Sequence, residues 1–263
     1  MDLSGLSVAA LRELIKQPGA VTEELLAALA GDKRKGVRDL SDKINRDREA
    51  LAAEMQRLEK LFAYEDNVRA NGYYPIAGVD EVGRGPLAGP VLAAAVILPR
   101  DALLTGLDDS KKLTVQKREV LAEQIKETAT AWSVALATVE EIGSLNIFQA
   151  ALTAMRRAVE QLETKPAYVL VDGFRIGQLP IPQIPIVKGD SLSASIAAAS
   201  VIAKVARDAI MDDYHKEYPM YGFDRHKGYG TAEHMAALER YGPSPIHRQD
   251  FAPVRKALGA VKK

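Results

Sequence analysis

The sequence predicts an α/β protein, in which a mixed sheet is flanked by helices and preceded by a helical N-terminal extension. From residue 74 onward, apolar runs of strand length alternate with segments of helical periodicity. Three of these runs lead into acidic residues, and a glycine-rich turn joins the first two runs. The first 70 residues have helical periodicity and lack this pattern, so we expect them to form a separate region.

The composition limits the class of protein. A chain of 263 residues with 47% hydrophobic residues can form one large domain, or a medium domain with an appendage. It contains no cysteine, which excludes disulfides, zinc-thiolate sites and a thiol nucleophile. The formal net charge is zero, which weighs mildly against a nucleic-acid partner, although a local basic strip is sufficient to bind phosphates.

We expect a cytoplasmic protein that does not bind membranes. Residues 1–5 lack the basic and apolar regions of a signal peptide. No apolar run approaches the roughly 20 residues that a membrane-spanning helix needs.

Residues 1–70 are predicted to form the helical extension. Ser7 and Thr22 begin two short helices, and a longer amphipathic helix covers 35–64. The longer helix places its apolar residues near one face, namely Val37, Leu40, Ile44, Leu51, Leu58 and Phe62. A helical hairpin packed on the main domain or on a partner is favoured over a DNA-binding arm, because the remaining charges are balanced. Asn71 and Gly72 mark the boundary with a second domain, 71–263.

The second domain is predicted to contain the sheet. A first strand starts at Ile76, and the other strands cover 91–98, 132–139, 167–171 and 184–188. Helices are expected over 114–128, 147–162, 193–218 and 231–240, with Val120, Leu121 and Ile125 of the first helix pointing inward. The domain is expected to close with a C-terminal helical tail, whose last part the three prolines after residue 242 predict to be irregular.

Acidic residues follow the apolar strands at Asp80, Glu81, Asp172 and Asp190. Sites in open α/β sheets lie beyond the carboxyl ends of strands, and clustered carboxylates repel one another unless a cation binds them. Oxygen ligands select hard ions such as Mg²⁺ or Mn²⁺, and a pair of such ions can activate water for phosphodiester cleavage. Asp190 fits a helix cap equally well, and Asp80 and Glu81 can share a site only if their strand ends or bulges there.

A glycine turn and several cations complete the candidate site. Gly83, Arg84 and Gly85 form either a simple tight turn or a turn whose backbone approaches a sugar–phosphate. Tyr229 lies between two glycines and is suited to stacking on a sugar or a base. Candidate phosphate contacts, each of which is more often simply solvated, are Lys111, Lys112, Lys204, Arg225 and Lys227. We assign no catalytic role to the four histidines, because lone histidines are more often found at surfaces or caps.

Six segments resemble, in order, the motifs of bacterial ribonuclease HII. They are DEVGRGPLAGPV at 80–91, DSKKL at 109–113, VDG at 171–173, KGD at 188–190, SIAAASVIAK at 195–204 and KGYGT at 227–231. The resemblance covers about 74–255. The sister family, ribonuclease HIII, differs after its Asp-Glu pair and lacks the Gly-Arg-Gly, and the first 70 residues depart from shorter members of the HII family.

The resemblance implies an RNase H-like fold and metal-dependent cleavage of the RNA in RNA–DNA hybrids, and of DNA on the 5′ side of single embedded ribonucleotides. It implies that Asp80, Glu81, Asp172 and Asp190 are catalytic and bind Mg²⁺ or Mn²⁺, with two ions during catalysis. Gly83, Arg84, Gly85 and Tyr229 resemble the residues that recognise the 2′-hydroxyl, and Lys111 is a further candidate for substrate binding.

The expected partners are RNA–DNA hybrids and ribonucleotide-containing duplex DNA. The products would carry 3′-hydroxyl and 5′-phosphate ends. We expect a monomer whose N-terminal helices contact substrate or another protein. Two alternatives remain at this point: another RNase H-like nuclease, such as a junction resolvase or an exonuclease, and a non-catalytic nucleic-acid binder whose acids are caps.

Overall fold

A computed structural model describes residues 1–261 of the chain, with side chains to residue 259. The last two residues of the predicted second domain, 262 and 263, lie outside the described residues. The chain forms two compact units, which divide between Arg57 and Leu58. Among the described helices, none is long and apolar enough to cross a bilayer.

The first unit is helical, as predicted. It contains α1 (Val8–Leu14), α2 (Glu23–Ala30) and the larger part of α3 (Lys35–Leu61). Ser7 and Thr22 cap the first two helices, because their hydroxyl oxygens accept hydrogen bonds from backbone amides three residues ahead. The buried core consists of Leu3, Leu11, Leu25, Leu29, Val37 and Leu40. Leu51 lies on the same face of α3 as Leu40 and Ile44 by helical spacing, but its side chain is half exposed.

The second unit contains a mixed sheet, in agreement with the predicted fold class. Its strands are β1 (Ile76–Val82), β2 (Val91–Ile97), β3 (Ala131–Ala137), β4 (Tyr168–Asp172) and β5 (Gln183–Ile186). In the part of the chain that the structure describes, their order is β3-β2-β1-β4-β5. The pairs β1–β2 and β2–β3 are antiparallel, whereas β1–β4 and β4–β5 are parallel. The strand that carries two of the predicted acids, β1, is therefore central.

Helices cover both faces of the sheet. The second unit contains α4 (Ala63–Ala70), α5 (Val115–Thr128), α6 (Val139–Leu145), α7 (Ile147–Gln161), α8 (Ala194–Glu217), α9 (Phe223–His226), α10 (Ala232–Tyr241) and α11 (Ala252–Val261). One face of the sheet packs on α7 through Val79 and Met155. The other face packs on α5 and α8 through Val96, Leu121 and Ile202.

Two predictions about these helices are wrong. The predicted irregular C-terminal end contains α11, because Pro253 lies in the first turn, where a helix does not need its amide. Val120 of α5 points to solvent, because the buried face of that helix follows Leu121 and Ile125.

The start of α8 lies directly against β1. A Cβ at Gly78 would overlap the backbone of Ser195, so only glycine allows this approach. The small residues further along, from Ala197 to Ala199, are buried against the sheet. This packing brings Ser200 of α8 beside Asp80.

Candidate active site

Three of the predicted acids come together at the end of the two central parallel strands. Asp80 and Glu81 lie near the end of β1, and Asp172 is the last residue of β4. One carboxylate oxygen from each of the three lies within 4.8 Å of the other two. The parallel pairing of β1 with β4 stops at Val79 and Val171, so the acids come directly after the point where the two strands separate. This is the position at which α/β sheets place their sites.

Asp80 and Glu81 share the site although they are neighbours in a strand. The Oδ1 atom of Asp80 accepts a 2.7 Å hydrogen bond from the Glu81 amide, which keeps this carboxylate alongside the end of the strand. The Glu81 side chain lies 3.4 Å from the Arg84 guanidinium, measured from Oε1 to Nη1. The strand ends at Val82, and Gly83 then takes a positive φ of 92°. The condition set by the sequence is that the strand ends or bulges at this pair. It is wrong as stated, because β1 continues to Val82 and stays paired with β2 in unbroken register through both acids.

The pKa values of all three carboxyl groups are raised. Burial raises the pKa of Asp80 well above its ordinary value, and the negative charges of Glu81 and Asp172 add to the effect. Burial also raises the pKa of Glu81 despite the opposing charge of Arg84, and that of Asp172 despite a hydrogen bond from the Gly189 amide. A cluster of oxygen ligands that resist simultaneous ionisation fits a divalent cation, whose charge would favour the ionised form of all three.

Asp190 lies beside this cluster, in a 3₁₀ turn formed by Gly189–Ser191. The turn is joined to β4 by the 2.6 Å hydrogen bond from the Gly189 amide to Asp172 Oδ1. The charge of Asp190 contributes to the raised pKa of Asp172. Asp190 is not among the three acids whose oxygens approach one another most closely, so its role as a metal ligand stays a prediction.

Lys111 is the cation closest to Asp190, with 3.5 Å between Nζ and Oδ2. Partial burial would lower the pKa of Lys111, but the charges of Asp109, Asp190 and Asp80 outweigh burial and raise it. The loop that carries Lys111 is connected to α8 by a hydrogen bond of 2.8 Å between the hydroxyls of Ser110 and Ser200. A cation is thus present at the edge of the carboxylate cluster.

The Gly-Arg-Gly turn and Tyr229 lie next to each other. A Cβ on Gly85 would be 3.5 Å from Cε1 of the Tyr229 ring. The loop of residues 83–90 also bonds to the segment that carries Tyr229, since the Leu87 amide donates to the Gly228 carbonyl at 2.8 Å. Tyr229 is partly exposed, and its ring is available for stacking. These contacts join Tyr229 to the Gly-Arg-Gly turn, and the ion pair of Arg84 with Glu81 joins that turn to the acids.

Two buried arginines hold this loop, and neither was predicted from the sequence. Arg248 donates hydrogen bonds to the loop carbonyls of Gly83, Arg84, Pro86, Gly89 and Pro90, at 2.6–3.2 Å. Arg207 donates to the carbonyls of Ala88, Pro90 and Lys227. Burial, followed by repulsion from Arg207, lowers the pKa of Arg248 to about 9. A single arginine surrounded by polar sequence gives no local signal for such a role.

The other candidate phosphate contacts have carboxylate partners in this structure. Lys227 pairs with Asp212, Arg225 with Glu233, Lys204 with Asp208 and Lys112 with Asp108. Lys111 also has a carboxylate partner, but that partner is Asp190, one of the four predicted catalytic acids, so Lys111 is the candidate closest to the site.

Three of the four histidines are buried, which corrects the expectation that they lie at surfaces or caps. They are His226, His234 and His247, and they form a cluster beneath Tyr229. Single histidines in a sequence do not show that they will be brought together, because they come from α9, α10 and the segment between α10 and α11.

Comparisons with known proteins agree with this geometry. Residues 77–254 match the family model described as ribonuclease HII, and residues 7–69 match the model of the ribonuclease HII N-terminal domain. Ribonuclease HII of Pelotomaculum thermopropionicum is 57% identical over 255 residues, with 96% of each chain covered. Ribonuclease HII of Desulfitobacterium hafniense is 50% identical over 260 residues, with 98% of this chain and all of the relative covered.

A solved structure is also similar. The crystal structure of ribonuclease H2 from Pyrococcus horikoshii superposes with a TM-score of 0.61 at 26% identity, over 72% of this chain and 99% of that chain. The resemblance seen in the six segments is therefore confirmed, and it decides against both the resolvase or exonuclease alternative and the non-catalytic alternative. The chain belongs to the ribonuclease HII family and is an endonuclease that hydrolyses the RNA of RNA–DNA hybrids.

Proposed function

We propose that this chain also cleaves duplex DNA on the 5′ side of single embedded ribonucleotides, leaving 3′-hydroxyl and 5′-phosphate ends. The observation that carries the proposal is the position of three converging carboxylates close to a glycine turn that contacts an exposed tyrosine. The carboxylates are suited to hydrolysis of a phosphodiester, and the glycine turn with its tyrosine is suited to recognition of one sugar. Such a substrate would be met in the cytoplasm during replication and repair of DNA.

Asp80, Glu81, Asp172 and Asp190 would hold Mg²⁺ or Mn²⁺. When bound, a pair of such ions supplies Lewis-acid activation of water and stabilises the departing oxygen. The carboxylates would be the metal ligands, and Arg84 orients one of them, Glu81, through their ion pair. Hydrogen bonds from the Glu81 amide to Asp80 and from the Gly189 amide to Asp172 fix two of the other carboxylates.

Gly83, Arg84 and Gly85 would recognise the ribose, with Tyr229 stacked on the sugar. Only the 2′-hydroxyl distinguishes a ribonucleotide from a deoxyribonucleotide at one position, so a few hydrogen bonds must provide the discrimination. Arg248 already holds the carbonyls of Gly83 and Arg84, so this backbone is fixed before substrate binds. A fixed donor or acceptor loses little conformational entropy when it binds the hydroxyl.

Lys111 would contact a backbone phosphate of the substrate. Its ammonium group lies beside the acids and is largely exposed, so it can reach an anionic ligand from there. A phosphate contact contributes affinity that depends on salt and not on the base sequence.

Cleavage of three duplexes tests the proposal. The duplexes have the same sequence and contain no ribonucleotide, one ribonucleotide, or a complete RNA strand. We expect cleavage of the last two, with a single cut on the 5′ side of the lone ribonucleotide, and no cleavage of the all-DNA duplex. End mapping must give a 3′-hydroxyl and a 5′-phosphate. Equal cleavage of all three duplexes, or a cut at the 3′ side of the ribonucleotide, would reject the proposal.

Replacement of Tyr229 by alanine tests the role of the ring separately. We expect kcat/KM on the single-ribonucleotide duplex to fall by about tenfold or more, since base or sugar stacking contributes roughly 1–3 kcal/mol. An unchanged kcat/KM would remove Tyr229 from the recognition site, while leaving the assignment of the acids untouched.

A further inference from the structure

The three buried histidines have hydrogen-bond partners that fix their protonation states. The Nδ1 atom of His247 accepts from the Ser244 amide at 2.9 Å, so it carries no proton. The proton of the His247 ring is therefore on Nε2, which lies 3.0 Å from Nε2 of His234. The His234 nitrogen that faces it must accept.

The remaining nitrogen of His234 then has to be a donor. Its Nδ1 atom lies 3.0 Å from the backbone carbonyl oxygen of Tyr229, to which it donates. His226 is neutral for the same type of reason, because its Nδ1 accepts from the Gly228 amide and its Nε2 donates to the Tyr221 carbonyl. One directed series of hydrogen bonds thus runs from Ser244 through His247 and His234 to Tyr229.

Packing holds the series in place. The His234 ring stacks on the His226 ring with a centroid distance of 4.5 Å and an angle of 11°. The edge of the Phe223 ring lies against His234, with 5.5 Å between the centroids. His234 and His247 are completely or almost completely buried, so water does not offer alternative partners.

The other end of the series is joined to the Gly-Arg-Gly loop. His247 forms an isolated β-bridge with Ala88, and the amide of the next residue, Arg248, donates to the Leu87 carbonyl at 2.9 Å. Arg248 holds the carbonyls of Gly83 and Arg84 through its side chain. The histidine pair therefore connects the two parts of the proposed ribose-binding site, the loop and the tyrosine.

We propose that His234 and His247 are positioning residues, which act as a neutral pair to set the position of Tyr229 relative to the Gly-Arg-Gly loop. The proposal rests on the function proposed above for Tyr229. Neither histidine contacts the substrate or the acids in this account. Their effect on cleavage passes through one hydrogen bond, from His234 Nδ1 to the Tyr229 carbonyl.

Two substitutions at His234 distinguish the roles of its two ring nitrogens. The amide nitrogen of asparagine takes the position of Nδ1, so His234→Asn keeps a donor to the Tyr229 carbonyl and loses the contact with His247. Glutamine places its amide at the position of Nε2, so His234→Gln loses the bond to Tyr229. Both variants remove the imidazole ring, and they differ in which ring nitrogen is replaced by an amide nitrogen.

We expect His234→Gln to lower kcat/KM on the single-ribonucleotide duplex by about fivefold, the effect of one hydrogen bond, while His234→Asn retains most of the wild-type value. Combination with Tyr229→Ala provides the second readout. His234→Gln should have no further effect in that background, because a residue that acts through Tyr229 cannot act once the ring is gone. Equal losses in the two His234 variants, or full additivity with Tyr229→Ala, would show a merely structural role and overturn the proposal.

Nitrogen NMR of the wild-type protein tests the same inference without any variant. The spectrum must show His247 protonated on Nε2 and His234 protonated on Nδ1 at neutral pH. The opposite tautomer of His234 would overturn the proposal even if a variant fails to fold. If Tyr229→Ala itself cleaves like the wild type, the proposed role of Tyr229 fails, whereas wild-type cleavage by His234→Gln alone refutes only the positioning role.

Discussion

The carboxylate cluster is largely buried and the histidine cluster is buried, but the two clusters differ in charge. Asp80, Glu81 and Asp172 repel one another, and burial raises the pKa of each. In the histidine cluster the ring nitrogens of His234 and His247 have hydrogen-bond partners, and burial lowers both pKa values, which keeps the rings neutral. The first arrangement is suited to binding a cation, whereas the second is suited to holding the backbone in one position.

Within one site, the carboxylates are suited to the chemistry and the histidines are suited to positioning. A cluster of like charges lowers stability until a ligand neutralises it, so its residues are selected for the reaction. A fully partnered cluster stabilises one geometry and gains nothing from a ligand. Substitutions in the two clusters should therefore have opposite effects on stability.

Replacement of Asp80 by asparagine should give the largest effect on activity. We expect turnover to fall at least ~1000-fold, about 4 kcal/mol in transition-state stabilisation, because an amide does not provide the anionic ligand. Binding of the hybrid should be largely retained. Single-turnover cleavage and a filter-binding assay measure the two quantities, and Asp101→Asn, at an exposed position, is the matched control.

The same substitution should stabilise the metal-free protein. The pKa of Asp80 is raised in the folded state, so its ionisation destabilises the fold progressively as pH rises from the unfolded value, and this penalty is absent in strong acid. We expect Asp80→Asn to melt at a higher temperature than the wild type at pH 7 in EDTA, with the difference disappearing below about pH 4. A lower melting temperature at pH 7 would contradict the account of repulsion.

Replacement of Arg248, the neighbour of His247 that holds the 83–90 loop, by methionine should give the next largest effect. The effect is a loss of stability, opposite to that of Asp80→Asn. Five carbonyls of the 83–90 loop would lose their hydrogen bond to Arg248, with only Pro90 keeping one from Arg207, and we expect the free energy of unfolding to fall by about 3 kcal/mol or more. Arg240→Met, at an exposed position of α10, is the control and should cost no more than about 0.5 kcal/mol. Equal losses on denaturant titration would show that the buried bonds do not hold the loop.

The carboxylate cluster also differs from the buried arginine and histidines in how far the sequence predicts it. Asp80 and Asp172 could be predicted because an apolar run of strand length places its final acid at the edge of a sheet. Arg248 could not, since it binds Gly83 from 165 positions away and no periodic pattern surrounds it. The histidines are similar, because each lies in a different segment. Local periodicity predicts elements and the residues at their ends, whereas long-range bonds between single polar residues depend on the complete fold.

The smallest expected effect concerns the pH dependence of stability at His247. Burial, and then the neighbouring His234, lowers its pKa from about 6.5 to about 4. The unfolded chain therefore binds a proton that the folded protein does not bind, and this contribution to stability is lost as pH falls from about 6.5 towards 4. Between pH 7 and pH 5 the wild type should lose about 2 kcal/mol more than His247→Gln, which keeps a donor at the position of Nε2. Carboxylates titrate in both proteins, so they cancel in the difference. Parallel curves of unfolding free energy against pH would mean that His247 accepts a proton in the folded state, and the neutral pair that positions Tyr229 would then not exist at that pH.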